Sequence, residues 1–267
     1  MLRKLLKYEF KGNGKIMLPF YGLILVLAVM TKLFNGINIQ QFSTLGEIAF
    51  GVVAFSYGLT MASVMILTAF LIIQRFAKTV YGDEGYLTHT LPVKSRDIII
   101  SKTIAAIGWM ALSGIVAMIS VAIMAYYPKF FEDFAVAYKY FIAELGPIEL
   151  KQIFIMLGYI ITVSILATIS GIMMVYMSIS IGQLFKKKLM GSIAAFLGVS
   201  FISSIIVGFI GNSPIADMME AMMNNGPEGI IAGINTLMLF LAALYIIKIA
   251  IYYFVTNHLM TKKLNLE

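Results

Sequence analysis

The stretch Ile153–Ile181, IFIMLGYIITVSILATISGIMMVYMSISI, carries no charged side chain. A helix rises about 1.5 Å per residue, so roughly twenty apolar residues match the hydrocarbon thickness of a bilayer. This run exceeds that length, which reads as a membrane-spanning helix with tilt or an extension into water. Five further runs have the same character: Ile16–Phe34, Ile48–Ile73, Thr103–Tyr127, Gly191–Gly211 and Ile230–Thr256. The fold class expected is therefore an all-α polytopic membrane protein, a single transmembrane domain of six spans over residues 1–267.

Composition excludes the alternative of a soluble domain. Of 267 residues, 60% are hydrophobic and 12% charged, with a mean hydropathy of +0.92. A water-soluble surface cannot be covered from so small a polar share. Cysteine is absent, which removes a disulfide framework and any thiolate metal site.

The positions of the cations give the orientation. Fifteen of the twenty lysines and arginines fall on one side: Arg3, Lys4, Lys7, Lys11 and Lys15, then Arg75, Lys78, Lys94, Arg96 and Lys102, then Lys186–Lys188, then Lys262 and Lys263. Only Lys129, Lys139 and Lys151 fall on the other. By the positive-inside rule the basic side is the cytoplasm, with both termini there, in a cell (plasma) membrane. The net charge of +7 thus reads as membrane orientation, with no nucleic-acid partner. Lys32 and Lys248 lie within spans, near enough to an end to snorkel. The apolar stretch after the basic N-terminus is too long for a signal core and lacks a small-residue cleavage site, so it reads as a retained anchor.

The connections carry further signals. Residues 1–15 place Leu2, Leu5, Leu6 and Phe10 on one helical face and Arg3, Lys4, Lys7 and Lys11 on another, the pattern of an interface helix on the inner leaflet. Gly12-Asn13-Gly14 reads as its break, with Pro19 in the first turns of the span, the alternative being a helix that simply extends the first span. On the outer side, Phe130, Phe134, Phe141 and Leu145 form a stripe ending at Gly146-Pro147. A second outer helix is expected from Ser213-Pro214, with Ile215, Met218, Met219, Met222 and Met223 on one face and Gly226-Pro227 as its stop.

Several chemistries lack their residues. No Asp or Glu lies inside a predicted span, whereas ion-coupled carriers ordinarily hold a polar relay there. The two histidines, His89 and His258, sit in cytoplasmic segments. No paired aspartates, Ser/His pair or zinc spacing occurs within the spans. Gly12-Asn13-Gly14-Lys15 is not a phosphate-binding loop, which needs GxxxxGK[ST]. The chain is expected to be no enzyme, with no cofactor of its own.

The connection Gln74–Lys102 reads QRFAKTVYGDEGYLTHTLPVKSRDIIISK. Gly82 and Gly85 bracket Asp83-Glu84, so the second span turns there. Tyr86–Thr90 suits a short helix that Leu91-Pro92 ends. Ser95 reads as the cap of the third span, with Asp97 in its first turn. The product is a cytoplasmic elbow presenting Asp83, Glu84, Tyr86, Leu87, His89 and Leu91.

The pattern Asp83-Glu84-Gly85-Tyr86-Leu87, then Thr90-Leu91-Pro92, Arg96 and Lys102, resembles the coupling segment of ABC-2-type ATP-binding-cassette exporter permeases, small bacterial six-span proteins similar to antimicrobial- and toxin-peptide exporters. The resemblance implies a separate ABC ATPase subunit that supplies ATP and Mg chemistry, and a second permease copy, identical or paralogous. It also implies that each elbow docks into a cleft of the ATPase, whose closure tilts the spans. Family members flank a central path with their second and fifth spans. Here those spans carry Ser56, Thr60 and Ser63, and Ser200, Ser203 and Ser204. These hydroxyls either line the path or pack helices, as the neighbouring Ala54, Gly58 and Ala62 are expected to do. A path of Leu, Ile, Phe, Met and hydroxyls suits amphipathic peptides or small hydrophobic cargo, in contact with membrane lipids. The rival functions are an ion-coupled secondary transporter and a non-transporting scaffold or sensor subunit.

Overall fold

The computed structural model describes residues 2–37, 44–82, 85, 94–127, 129–145, 150–211, 217, 221–222 and 226–262. Their regular structure is entirely helical: α1 (Leu2–Gly36), α2 (Thr44–Phe76) continued by a π-helical turn (Ala77–Tyr81), α3 (Ser95–Ala125), α4 (Phe130–Leu145), α5 (Leu150–Gly182), α6 (Lys188–Gly211) and α7 (Gly226–Lys262). Six of these are long and apolar enough to cross a membrane, namely Leu5–Gly36, Thr44–Tyr81, Ser95–Ala125, Lys151–Gly182, Lys188–Phe209 and Gly229–Lys262. The chain is a multi-pass membrane protein.

The helices form two compact units, Met1–Glu132 and Asp133–Glu267. In the first, α1 packs on both α2 and α3, and α2 touches α3. Its core joins Met17, Tyr21 and Ile24 of α1 to Val64 and Leu71 of α2 and to Trp109 and Val116 of α3. In the second unit, α5 packs on α6 and on α7. Large apolar side chains face outward in both, among them Leu18, Phe55, Ile66, Phe154, Phe201 and Phe254. Apolar exposure on this scale is the surface of a protein solvated by lipid.

Two local expectations change. The helix does not break at Gly12-Asn13-Gly14; α1 runs without interruption from Leu2, and Pro19 lies in its interior. The glycines serve helix approach instead. A Cβ at Gly12 would stand 1.8 Å from Nη1 of Arg75, and one at Gly14 would touch the Trp109 ring at 3.5 Å. Gly108 of α3 is matched to Phe10 in the same way, with a Cβ 2.6 Å from the ring. Second, Ser95 is the first helical residue of α3 and Lys94 its cap, without a side-chain bond. The main chain closes that end, with the Asp97 N–H donating to the Lys94 carbonyl at 2.9 Å. Lys248 donates to Ser203 Oγ of α6 at 2.6 Å.

Other expectations are met in outline. The second helix ends at Tyr81, and Gly82 takes an extended conformation. A helix spans 130–145, with Phe134 exposed. The expected second outer helix lies almost wholly outside the described residues. At its far end Gly226 has φ +80°, a left-handed conformation that favours glycine, and opens α7.

Candidate functional site

At the basic end of the first unit a charged cluster ties three helices together. Glu9 lies on α1, and Asn13, one turn on, shares its face. Arg75 closes the α-helical part of α2, and Thr79 sits one turn later in the π-helical segment. Lys102 is in the second turn of α3. Glu9 pairs with both cations: Oε2 meets Arg75 Nε, and Oε1 accepts from Lys102 Nζ at 2.9 Å. Lys102 Nζ also contacts Thr79 Oγ1, whose hydroxyl donates to the Arg75 carbonyl at 2.6 Å.

Burial gives these contacts their weight. The Lys102 side chain is 5% exposed and that of Glu9 14%. An ammonium so deeply withdrawn from water persists only when paired, because an unpaired buried charge costs several kcal/mol. Arg75 Nε pairs with the Glu9 carboxylate, and the guanidinium donates from Nη1 to Asn13 Oδ1 at 3.1 Å and from Nη2 to the Tyr8 carbonyl at 2.8 Å. Its guanidinium lies flat on α1 where Gly12 has no side chain. The π-helical turn just beyond offsets the residues after Phe76, and such turns recur at functional sites.

Deeper in the same unit, a hydroxyl network crosses the three helices. Ser113 Oγ of α3 is 2.7 Å from both Tyr21 of α1 and Thr68 of α2. Higher on the pair, the Tyr57 hydroxyl meets Ser120 Oγ at 3.0 Å. In hydrocarbon these bonds fix helix register where apolar packing alone discriminates poorly.

The elbow residues Asp83, Glu84, Tyr86, Leu87, His89 and Leu91 lie outside the described residues. Of their segment, Gly85 is buried and its N–H donates to the Gly82 carbonyl at 2.8 Å. The hydroxyls of the two spans divide. Thr60 is buried and bonds back to the Ser56 carbonyl at 2.8 Å; Ser63 is exposed. Ser204 bonds back to the Ser200 carbonyl at 3.0 Å, whereas Ser203 receives Lys248. Among the described residues, no atom approaches within 4 Å of a Cβ built on Gly58, the middle residue of the stripe Ala54, Gly58, Ala62.

The Glu9–Arg75–Lys102 cluster was missed by a search for acids within spans. One signal existed: Glu9 is the sole acid among the first fifteen residues, which carry five cations. Among the described residues, no group of three His, Cys, Asp or Glu side chains is placed to hold a metal ion.

The chain matches no protein-family profile, no curated protein and no solved structure.

Proposed function

We propose that the chain is the membrane-spanning permease subunit of an ATP-driven exporter of the ABC-2 type, with both termini in the cytoplasm of a cell whose plasma membrane it spans. In this reading a separate ATPase subunit binds ATP and Mg, a second permease copy completes the path, and the elbow between α2 and α3 receives the ATPase stroke. One observation carries the reading. The segment between Gly82 and Lys94 joins two helices that Glu9, Arg75, Thr79 and Lys102 cross-link to each other and to α1. A force applied to that segment would move three helices as one body, because each bond of the cluster resists independent sliding. A transmission element needs that stiffness.

The cargo in this reading is an amphipathic or hydrophobic peptide, taken from the cytoplasm or inner leaflet. The sparse hydroxyls among the Leu, Ile, Phe and Met side chains of the second and fifth spans suit such a molecule better than a sugar or an ion.

The test substitutes Glu84→Ala and Leu87→Ala and measures ATPase co-purification together with peptide-stimulated ATP hydrolysis in proteoliposomes. Loss of both with an intact membrane domain supports the reading. Unchanged co-purification and unchanged stimulation would end it.

One observation favours the ion-coupled alternative: Lys248 places an ionisable group inside a span, the kind of residue such carriers use. Transport that persists without an ATPase and collapses with the ion gradient would select that alternative.

A further inference from the structure

The helix α4, FFEDFAVAYKYFIAEL, has six aromatic residues among its sixteen. Every residue from Phe131 to Tyr140 is exposed, and among the described residues no other helix runs along it. Isolated helices of about 12–15 residues are marginal in water even when rich in alanine, and aromatic residues form helices less readily. A helix so composed needs an apolar surface along one side. We infer that this surface is lipid: α4 lies in the interfacial layer of the bilayer opposite the basic ends, its aromatic face turned into the membrane. The inference rests on the membrane-spanning fold and does not depend on the exporter assignment.

Connectivity places the helix at that level. The membrane-crossing helix α3 ends at Ala125, and four residues later α4 begins. Ring contacts pin its start there, with Phe131 edge-on to Tyr126 at 6.2 Å and Phe130 edge-on to Tyr127 at 5.8 Å. Lys32, near the end of the first span, stands 4.5 Å from the centre of the same Tyr126 ring. At the other end, Leu145 is followed by only four residues before α5 starts at Leu150. Extended chain covers that gap by at most about 18 Å, whereas α4 is about 24 Å long. Standing upright, it would carry Leu145 beyond reach of the next span. It therefore lies over against the membrane surface.

The residue pattern fits that placement. By spacing, Phe130, Phe134, Phe141 and Leu145 share one face, with Phe131 and Tyr138 on its flank. Phe131 is 69% and Phe134 61% exposed. Glu132, Asp133 and Lys139 fall on the opposite side. An apolar aromatic face backed by charge is the form of a helix lying in a membrane interface. Helices drawn there by lipid charge carry Lys and Arg on the polar side. Here acids outnumber the one lysine, so the attraction is apolar and indifferent to the headgroup.

The chain has no cysteine, so single cysteines in the full-length protein can each carry one bimane dye. In phosphatidylcholine nanodiscs, dyes on Phe134→Cys and Tyr138→Cys are expected to be quenched several-fold more by lipid bearing a nitroxide near its headgroup than by aqueous iodide. Dyes on Glu132→Cys and Lys139→Cys are expected to show the reverse. The lipid quenching should be the same in phosphatidylglycerol. Equal access of iodide to all four positions would overturn the inference, because α4 would then stand in water. Protection of the dyes on Phe134→Cys and Tyr138→Cys from both quenchers would also overturn it, in favour of a protein cover such as a second copy. A dye-free measurement guards against the dye itself seeking lipid. In the double variant Phe134→Asp, Tyr138→Asp, amide hydrogen exchange over 130–145 is expected to be about tenfold faster than in the wild type, with exchange in α5 unchanged; Lys139→Asp should leave both as they were. Unchanged exchange over 130–145 in the double variant would sink the inference whatever the dyes report. Should that variant lose protection in α5 as well, the quenching of the folded single-cysteine proteins decides the question.

Discussion

Lys102 Nζ stands 2.9 Å from Glu9 Oε1, joining the start of α3 to the start of α1 across most of the first unit's sequence. Its side chain is 5% exposed, so the pair is as much a folding constraint as a contact. Arg75 meets the same carboxylate from α2, and one acid thereby fixes the relative heights of three helices.

Glu9→Gln leaves two cations without their carboxylate. Breaking a buried pair is strongly destabilising, and with Arg75 partly exposed the expected loss is about 2 kcal/mol. The check is the unfolding midpoint in detergent or nanodiscs. The double variant Glu9→Gln, Lys102→Met is expected to recover part of the loss, because an apolar side chain there needs no partner. If the double variant is worse than the single one, Lys102 is held by Thr79 rather than by Glu9.

Gly12→Ala is expected to destabilise the protein although alanine is the better helix former by about 1 kcal/mol. The new Cβ would fall 1.8 Å from Arg75 Nη1, driving the guanidinium away from Asn13 and Tyr8. Gly22→Ala is the control, since no atom lies within 4 Å of its Cβ position. Thermal unfolding should separate the two, with Gly22→Ala neutral or stabilised. Equal midpoints would mean that Arg75 readily finds another seat.

Ser113→Ala removes the oxygen shared by Tyr21 and Thr68. Interhelical hydrogen bonds in membranes average about 0.6 kcal/mol each, so the expected loss is about 1 kcal/mol. Ser204→Ala should be close to neutral, because that hydroxyl only bonds back to its own helix. The comparison is made by unfolding midpoints, and a larger effect for Ser204→Ala would mean that it meets something outside the chain.

The contrast between these sites shows what the sequence could reveal. The six spans were legible because hydrocarbon imposes one length and one composition on every crossing helix, as in Ile153–Ile181. Gly12 and Gly14 were misread as a break because a glycine that admits Arg75 or Trp109 looks, in one dimension, like a glycine that ends a helix. Glu9 and Lys102 were individually visible, but their pairing depends on how α1 crosses α3, which no local pattern encodes. For Thr60 and Ser204, spacing reports a helical face and not what the face meets. In each case the legible feature is set by solvent, and the illegible one by a neighbouring helix.

Lys248 supplies the sharpest functional test. Eight residues, or about 12 Å of helix, separate it from Thr256, where the apolar run of α7 ends. It donates to Ser203 at 2.6 Å and stands 5.8 Å from the Tyr245 ring centroid, and among the described residues no carboxylate pairs with it. A lysine at the centre of a span costs about 2.5–3.5 kcal/mol on insertion scales, less toward its ends, and these two contacts offset part of that. Lys248→Met is expected to insert and unfold at least as favourably as the wild type, and, if the ion-coupled alternative holds, to lose most gradient-driven transport. Ser203→Ala, which keeps the charge but frees the ammonium, should retain an intermediate response. A Lys248→Met protein that is both less stable and fully active would show that the lysine serves packing alone.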